Sequence, residues 1–226
     1  LLPGPRAGYV MNTTNAGIED ADELLLIGTN PRREAPLVNS RIPKRLLRGH
    51  FPVAVVGPRD DLTYRYEHLG VGPQTLKEIA DGTHALCQTL KSAKKPMLIV
   101  GQGALARADG ARVLGAARRI AESCGLVKDG WNGFNVLHTA ASRVGALDLG
   151  LVPGPGGRDV ARVLDGASKG EIEVVFLLGA DEIDMSRLGR AFVVYQGSHG
   201  DAGAHRADVI LPGAAYTEKA ATYVNT

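Results

Sequence analysis

Six apolar runs constrain this chain more than any other feature. They are ELLLIGTNP (23–31), FPVAVVGP (51–58), KPMLIVGQG (95–103), IEVVFLLGAD (172–181), AFVVYQG (191–197) and ADVILPG (207–213). Each meets a glycine or proline, and none alternates apolar with polar residues. A strand with one wet face alternates, whereas a strand buried on both faces does not. The runs therefore predict a parallel sheet covered by helices. Amphipathic stretches lie between several of them, at about 37–49, 74–92, 107–124 and 157–169. Strands alternating with helices make βαβ units, and the expected fold class is α/β with a Rossmann-like, doubly wound parallel sheet.

The pattern repeats once. EDADELLLIGTNP (19–31) and GEIEVVFLLGADE (170–182) share an acidic lead-in, a buried strand, a glycine and small polar residues. Two similar lobes follow from this echo, the first spanning 1–130 and the second 158–226. Residues 131–157 differ. They hold the single tryptophan, Trp131, end in PGPGG (153–157), and read as a connector with a short helix near 136–147. Both ends of the chain read as cuts through a longer protein, with the second lobe truncated at its C-terminus.

Composition narrows the function classes. Hydrophobic residues make up 44% and charged residues 22%, which allows a core. A net charge of +2 and only 5% aromatic residues give neither an electrostatic footprint nor a stacking platform for nucleic acid. No apolar stretch reaches the ~18 residues of a membrane span. Basic residues cluster only at RIPKRLLRGH (41–50), a solvated helix face or, through Lys44 and Arg45, a docking surface for an acidic partner. Cys87 and Cys124 stand apart with no C-x-x-C pair, so the chain carries no local iron–sulfur or zinc motif. Both are expected as buried free thiols.

Candidate chemistry is sparse. Gly101, Gly103 and Ala106 fit G-x-G-x-x-G/A, the turn that lets a pyrophosphate approach a helix N-terminus. The acidic partner would be Asp129, because Glu122 lies within a helical stretch, and Arg107 could meet a phosphate. The same glycines serve any tight strand–helix turn. PGPGGR (153–158) lacks the G-K-[ST] of a phosphate loop. His199, Asp201, His205 and Asp208 offer metal-ligating atoms but fit no ligand spacing, so they read as a polar loop and no metal is expected. Glu218 and Lys219 are adjacent and on a helix would point about 100° apart. No catalytic constellation emerges.

Longer stretches carry more. NTTNAGIEDADELLLIGTNPRREAPLVNSRI (12–42), VVGPRDDLTYRYEHLG (55–70), FLLGADEID (176–184) and VYQGSHGDAGAHRADVILPGAAYTEKAATYVNT (194–226) together resemble one family. It is the large iron–sulfur subunit of proton-pumping NADH:quinone oxidoreductase, respiratory complex I, known in mitochondria as the 75-kDa subunit. The resemblance runs from about Tyr9 to Thr226 and is nearest to the alphaproteobacterial and mitochondrial form. It covers that subunit's C-terminal region, which is similar to the molybdopterin oxidoreductases.

The resemblance implies a peripheral subunit on the cytoplasmic face of a bacterial inner membrane or the matrix side of a mitochondrial one. It implies other complex I subunits as partners, no nucleic acid and no direct membrane insertion. The 2Fe–2S and 4Fe–4S clusters would belong to an N-terminal region outside this sequence, leaving no cofactor here. In active relatives, loops like those at Gly28, Thr29, Asn30 and Pro31, at Gly179 and Asp181, and at Gln196, Gly197 and His199 hold the pterin and nucleotide groups. Here they are expected to outline a vestigial pocket. The active pattern N-P-x-x-x-H-P reads NPRREAP, with Ala35 in place of histidine. The implied function is a supporting, non-catalytic part of the enzyme. The alternatives are a fragment of an active, formate-dehydrogenase-like molybdopterin enzyme and a free-standing NAD-binding domain built on Gly101, Gly103 and Asp129.

Overall fold

The computed structural model describes residues 6–224. They form two compact units, one of residues up to 149 together with 224, the other of residues 150–223.

In the first unit, α1 (Thr14–Gly17) and a 3₁₀ turn (Ile18–Asp20) lead into β1 (Glu23–Ile27). Then come α2 (Pro31–Glu34), α3 (Pro36–Leu46), β2 (Val53–Val56), β3 (Glu67–Gly70), α4 (Pro73–Ala80) and α5 (Leu86–Ser92). β4 (Pro96–Gly101), α6 (Gln102–Leu105), α7 (Gly110–Ser123), a hairpin of β5 (Val127–Lys128) and β6 (Trp131–Asn132), β7 (Phe134–Leu137) and α8 (Arg143–Asp148) complete it. Five strands pair in parallel in the order β3-β2-β1-β4-β7.

That order explains the unalternating runs. The chain winds from β1 through β2 to β3, then returns past β1 to β4 and β7. Right-handed crossovers in opposite directions put helices on opposite faces. Leu25, Ile27, Leu98 and Val100 pack with Ile79, Leu90 and Ile120 of α4, α5 and α7. Leu24, Leu26, Met97 and Ile99 pack on the other face with Val38 and Ile42 of α3 and with Ile18. Each such fully buried side chain contributes about 1.5–3 kcal/mol relative to exposure.

Several boundaries differ from the sequence expectation, each for a local reason. Residues 131–157 are not a connector throughout, because FNVL (134–137) is the fifth strand of the first sheet, buried at every position. Asn135 hides that strand by interrupting its apolar run. Its side chain is fully buried, donates to the Leu98 and Gly133 carbonyls and accepts from the Thr13 amide. The helix expected near 136–147 is α8, starting only at Arg143. The amphipathic stretch 74–92 is two helices, broken at Gly82 with φ +80°. β3 (EHLG) is too short and polar to stand out.

The basic helix face is not free. Arg41, Lys44 and Arg48 of α3 and its C-terminal turn all reach the carboxylate of Glu19, with Lys44 Nζ at 2.8 Å. Arg45 Nε donates to the Ala21 carbonyl at 2.6 Å, and its guanidinium lies over the Phe51 ring at 4.9 Å. These cations pin α3 to the segment entering β1.

The second unit holds α9 (Val160–Ser168), β8 (Val174–Leu178), β9 (Phe192–Gly197), α10 (Ala202–Arg206) and β10 (Val209–Pro212). The strands are parallel in the order β10-β9-β8. Here burial on both faces does not hold. Val175, Leu177, Val193 and Tyr195 face a core with Leu164 and Ala167 of α9 and with Leu188, while their neighbours along β8 are exposed. Both crossovers run in one direction, so right-handedness places their helices on one face only. The echo between 19–31 and 170–182 is nonetheless real locally. β1 and β8 each end in a glycine with positive φ, Gly28 at +54° and Gly179 at +59°. Each donates its N–H to the adjacent strand, to Val56 O at 2.9 Å and Gln196 O at 2.7 Å.

The Lys44 and Arg41 hydrogen bonds hold the Glu19 carboxyl at about 2, against an ordinary 4.5. With the folded value depressed, its stabilisation is complete above the ordinary value and is lost as pH falls toward the folded one. Glu19→Gln is expected to lower Tm at pH 7. Thermal melts followed by circular dichroism should show the gap from the unsubstituted protein closing between pH 4.5 and about 2.

Candidate functional site

A doubly wound sheet binds ligands outside the carboxyl ends of its strands, where the winding reverses. In the first unit that place lies between β1 and β4. The loops Gly28–Pro31 and Gly101–Gly103 meet there, so sequence candidates 73 positions apart stand side by side.

The space between these loops is filled by the chain itself. A Cβ on Gly103 would stand 2.8 Å from the Gly28 carbonyl oxygen, one on Gly101 would run into the Thr29 side chain, and one on Gly28 into Ala104. The glycines permit backbone to approach backbone. The first loop is also tied internally. Thr29 Oγ1 and the Asn30 amide donate to the two Glu34 carboxylate oxygens, each at 2.8 Å. Asn30 Oδ1 accepts from the Arg33 amide at 3.3 Å, capping α2, where Pro31 is the first residue. Glu34 thus occupies the Thr29 hydroxyl and the Asn30 amide.

Residues in this loop do not fit a pterin dinucleotide. Its phosphates would meet the Glu34 charge and the Gly28 carbonyl. The cavity beside them, lined by Gly28, Gly57, Pro73, Gly103, Ala104 and Arg107, holds about 200 Å³, below the ~300–1,000 Å³ of typical ligand sites. Arg107 is paired with Asp109 at 2.7 Å. The acidic partner of an NAD site is equally misplaced. Asp129 lies in the β5–β6 turn, and Trp131 of that hairpin donates to the carbonyl of Pro96, the first residue of β4. Asp129 therefore sits at the amino end of β4, while Gly101 and Gly103 sit at its carboxyl end.

Sequence reading missed a polar chain at the carboxyl end of β7. His138 Nε2 donates to the Tyr9 carbonyl at 2.6 Å, and Gln102 Nε2 lies 3.4 Å from His138 Nδ1. Arg143 donates to Gln102 Oε1 at 3.1 Å. Burial pulls the imidazole below the ordinary histidine value, opposed by the Tyr9 carbonyl. The only signal was an isolated histidine closing a short apolar run.

In the second unit, Gly179, Asp181, Gln196, Gly197 and His199 gather at the carboxyl ends of β8 and β9. They too are held by neighbours within the unit. Asp181 accepts from the Gly203 amide at 3.1 Å, and Gly213 donates to the Gly197 carbonyl at 2.9 Å. Tyr195 donates to the His199 carbonyl at 3.2 Å, and Ser198 Oγ lies 2.9 Å from the His199 ring. Asp208 is remote from this cluster. Its carboxylate accepts from Val193 N–H at 2.8 Å, at the amino end of β9, six residues or about 20 Å of strand from His199. His199, Asp201, His205 and Asp208 are therefore not one ligand set, and no group of three metal-ligating side chains converges among the described residues. Cys87 and Cys124 are buried free thiols. Ala215 N–H donates to Glu218, closing a turn.

Over residues 2–226 the sequence matches the molybdopterin oxidoreductases. The chain belongs to that family. Within it, the chain is similar to the NADH-ubiquinone oxidoreductase 75 kDa subunit of Reclinomonas americana, 50% identical over 220 residues, which cover 97% of the chain and 31% of that relative. It is 47% identical over 222 residues to NADH dehydrogenase [ubiquinone] iron-sulfur protein 1 of Solanum tuberosum, covering 98% of the chain and 29% of the relative. It is 44% identical over 220 residues to the corresponding NADH-quinone oxidoreductase subunit of Rickettsia bellii, covering 97% and 31%. The chain thus spans about a third of the length of these relatives. Among solved structures it is similar to a component of the formyltransferase/hydrolase complex FhcABCD from Methylorubrum extorquens. The TM-score is 0.60 at 19% identity, covering 91% of this chain and 66% of that one, a likeness of fold alone. No helix among the described residues is long and apolar enough to cross a membrane.

In this chain, Glu34→Ala removes a carboxylate that holds two donors at the start of α2. Losing a hydrogen bond to a charged group costs about 1.5–3 kcal/mol. Denaturant titration should find a destabilisation in that range, and Glu34→Gln should recover part of it.

Proposed function

We propose that the chain is part of a complex I large iron–sulfur subunit, a protein that passes electrons from NADH through Fe–S clusters toward quinone. The observation that carries this reading is 44–50% identity, across 97% or more of the chain, to relatives bearing that subunit's name. The rest of the polypeptide would hold the 2Fe–2S and 4Fe–4S clusters. This part has a supporting role, docks neighbouring peripheral-arm subunits and performs no chemistry itself. It sits peripherally, on the cytoplasmic face of a bacterial inner membrane or the matrix side of a mitochondrial one.

The site geometry supports the supporting role. Gly28, Thr29, Asn30, Pro31, Gly179, Asp181, Gln196, Gly197 and His199 outline a former cofactor pocket, and many of their polar groups bond within the chain. An active molybdopterin enzyme would need the Gly28–Gly103 approach to open and Glu34 to leave its donors.

Metal analysis by mass spectrometry on the purified full-length subunit, with fluorescence of any pterin released on denaturation, tests this reading. Molybdenum and tungsten are expected far below one per chain, with no pterin. One pterin per chain together with molybdenum or tungsten would overturn it in favour of the active, formate-dehydrogenase-like alternative.

A further inference from the structure

The amino ends of β1, β2 and β3 border a cavity of about 500 Å³. It lies at the opposite end of the first sheet from the Gly28–Gly103 approach, and its volume falls in the ~300–1,000 Å³ range of small-molecule sites. Phe51, Leu69 and Leu86 give it apolar walls. Glu23, the first residue of the central strand β1, lines it and is only 6% exposed.

The acidic residues that lead into β1 differ in how they are satisfied. Glu19 gathers three cations, and Asp20 pairs with Lys95 at 3.4 Å. Asp22 accepts the Lys94 and Lys95 amides at 2.7 and 2.8 Å. Glu23 has neither a cation nor a backbone amide among the described residues. Its Oε1 accepts from the Thr89 hydroxyl at 2.8 Å, and its other oxygen has no partner. Even that one donor is shared, because Thr89 Oγ1 lies equally close, 2.8 Å, to the Leu86 carbonyl. A hydroxyl carries a single hydrogen, whereas a carboxylate has room for about four hydrogen bonds.

A buried carboxylate left in this state is costly. Burial pushes the Glu23 carboxyl above its ordinary value, the Thr89 hydroxyl opposes the shift, and the Asp22 charge adds to it. Arg65 lines the same cavity but forms no ion pair with Glu23 among the described residues. The group that would satisfy the free oxygen is a cation entering from the cavity. A guanidinium fork uses both oxygens of a carboxylate, and Thr89 already sits on one. An ammonium is a compact charge that needs only the other.

We propose that this cavity binds a primary amine carried on an apolar body, with the ammonium on the free oxygen of Glu23 and the body between Phe51, Leu69 and Leu86. A free molecule and the end of a lysine side chain present the same group, and the relatives hold about two-thirds of their length outside the region matched here. The proposal does not rest on the function proposed above, so either can fail alone.

The probe is 4-phenylbutylammonium, titrated by calorimetry into the full-length polypeptide. Its control is 4-phenylbutanol, the same body without the charge. One site is expected, with a Kd of about 1 mM or tighter. Binding should be at least ~10-fold weaker for the alcohol, and at least ~10-fold weaker for the amine in Glu23→Gln, as the loss of a charged hydrogen bond requires. If Glu23→Gln loosens the fold, as a lowered Tm would reveal, the comparison of amine with alcohol on the unsubstituted polypeptide decides. Equal binding of the two, or an unchanged Kd in a well-folded Glu23→Gln, would make the site a plain apolar hollow and overturn the proposal. A lysine already in place would exclude the probe. A carbodiimide, which joins a carboxylate to an amine at contact distance, should then link Glu23 to a lysine outside residues 1–226, as read by peptide mass spectrometry. That link would support the proposal and identify the amine as a lysine. A link only to a lysine within residues 1–226, or neither binding nor link, would overturn it.

Discussion

Between the carboxyl ends of β1 and β4 there is room for backbone and little else. The Gly28 carbonyl lies where a side chain on Gly103 would stand, and Thr29 fills the place of one on Gly101. This approach is forced by the winding. β1 must be central for helices to cover both faces of Leu24–Ile27, and a central β1 brings its loop against that of β4. In dinucleotide-binding proteins the same glycines make room for pyrophosphate. Here the Gly28 carbonyl and the Thr29 side chain fill that space, and the Glu34 carboxylate engages the Thr29 hydroxyl and the Asn30 amide.

The same economy recurs wherever a polar residue looks like chemistry. Asp181 holds the Gly203 amide, Asp208 holds the Val193 amide, and Glu19 gathers three cations from α3 and the turn that ends it. Polar groups at loop ends need partners, and Glu34, Asp181 and Asp208 each find a backbone amide. A carboxylate so engaged fixes geometry.

The six apolar runs were legible because each is long enough to show the absence of alternation, and all six are strands. β7 was not, since Asn135 sits in the middle of a four-residue strand. A fully satisfied buried amide looks, in sequence, like a turn residue. The extent of burial also failed in the second unit. VVFLL reads as buried on both faces, yet one face finds no cover within residues 150–223. The loop candidates were legible as strand ends followed by small polar residues. Their engagement was not, because Glu34 acts five residues from Thr29 and Asp181 acts on Gly203, 22 residues away. The basic run 41–50 is a solvated helix face, but its counter-charge was not legible, lying at Glu19, 22 or more residues upstream.

Strand order also sets the sequence of assembly. β1 cannot be enclosed until β4 has been made, and β4 begins at Pro96, far along the chain from Glu23. The second sheet asks for much less. Its strands begin at Val174, Phe192 and Val209 and pair with the next in line. Local pairing closes short loops and is fast, whereas distant pairing waits for a large loop to close. A nascent polypeptide can thus zip β8, β9 and β10 together soon after they emerge.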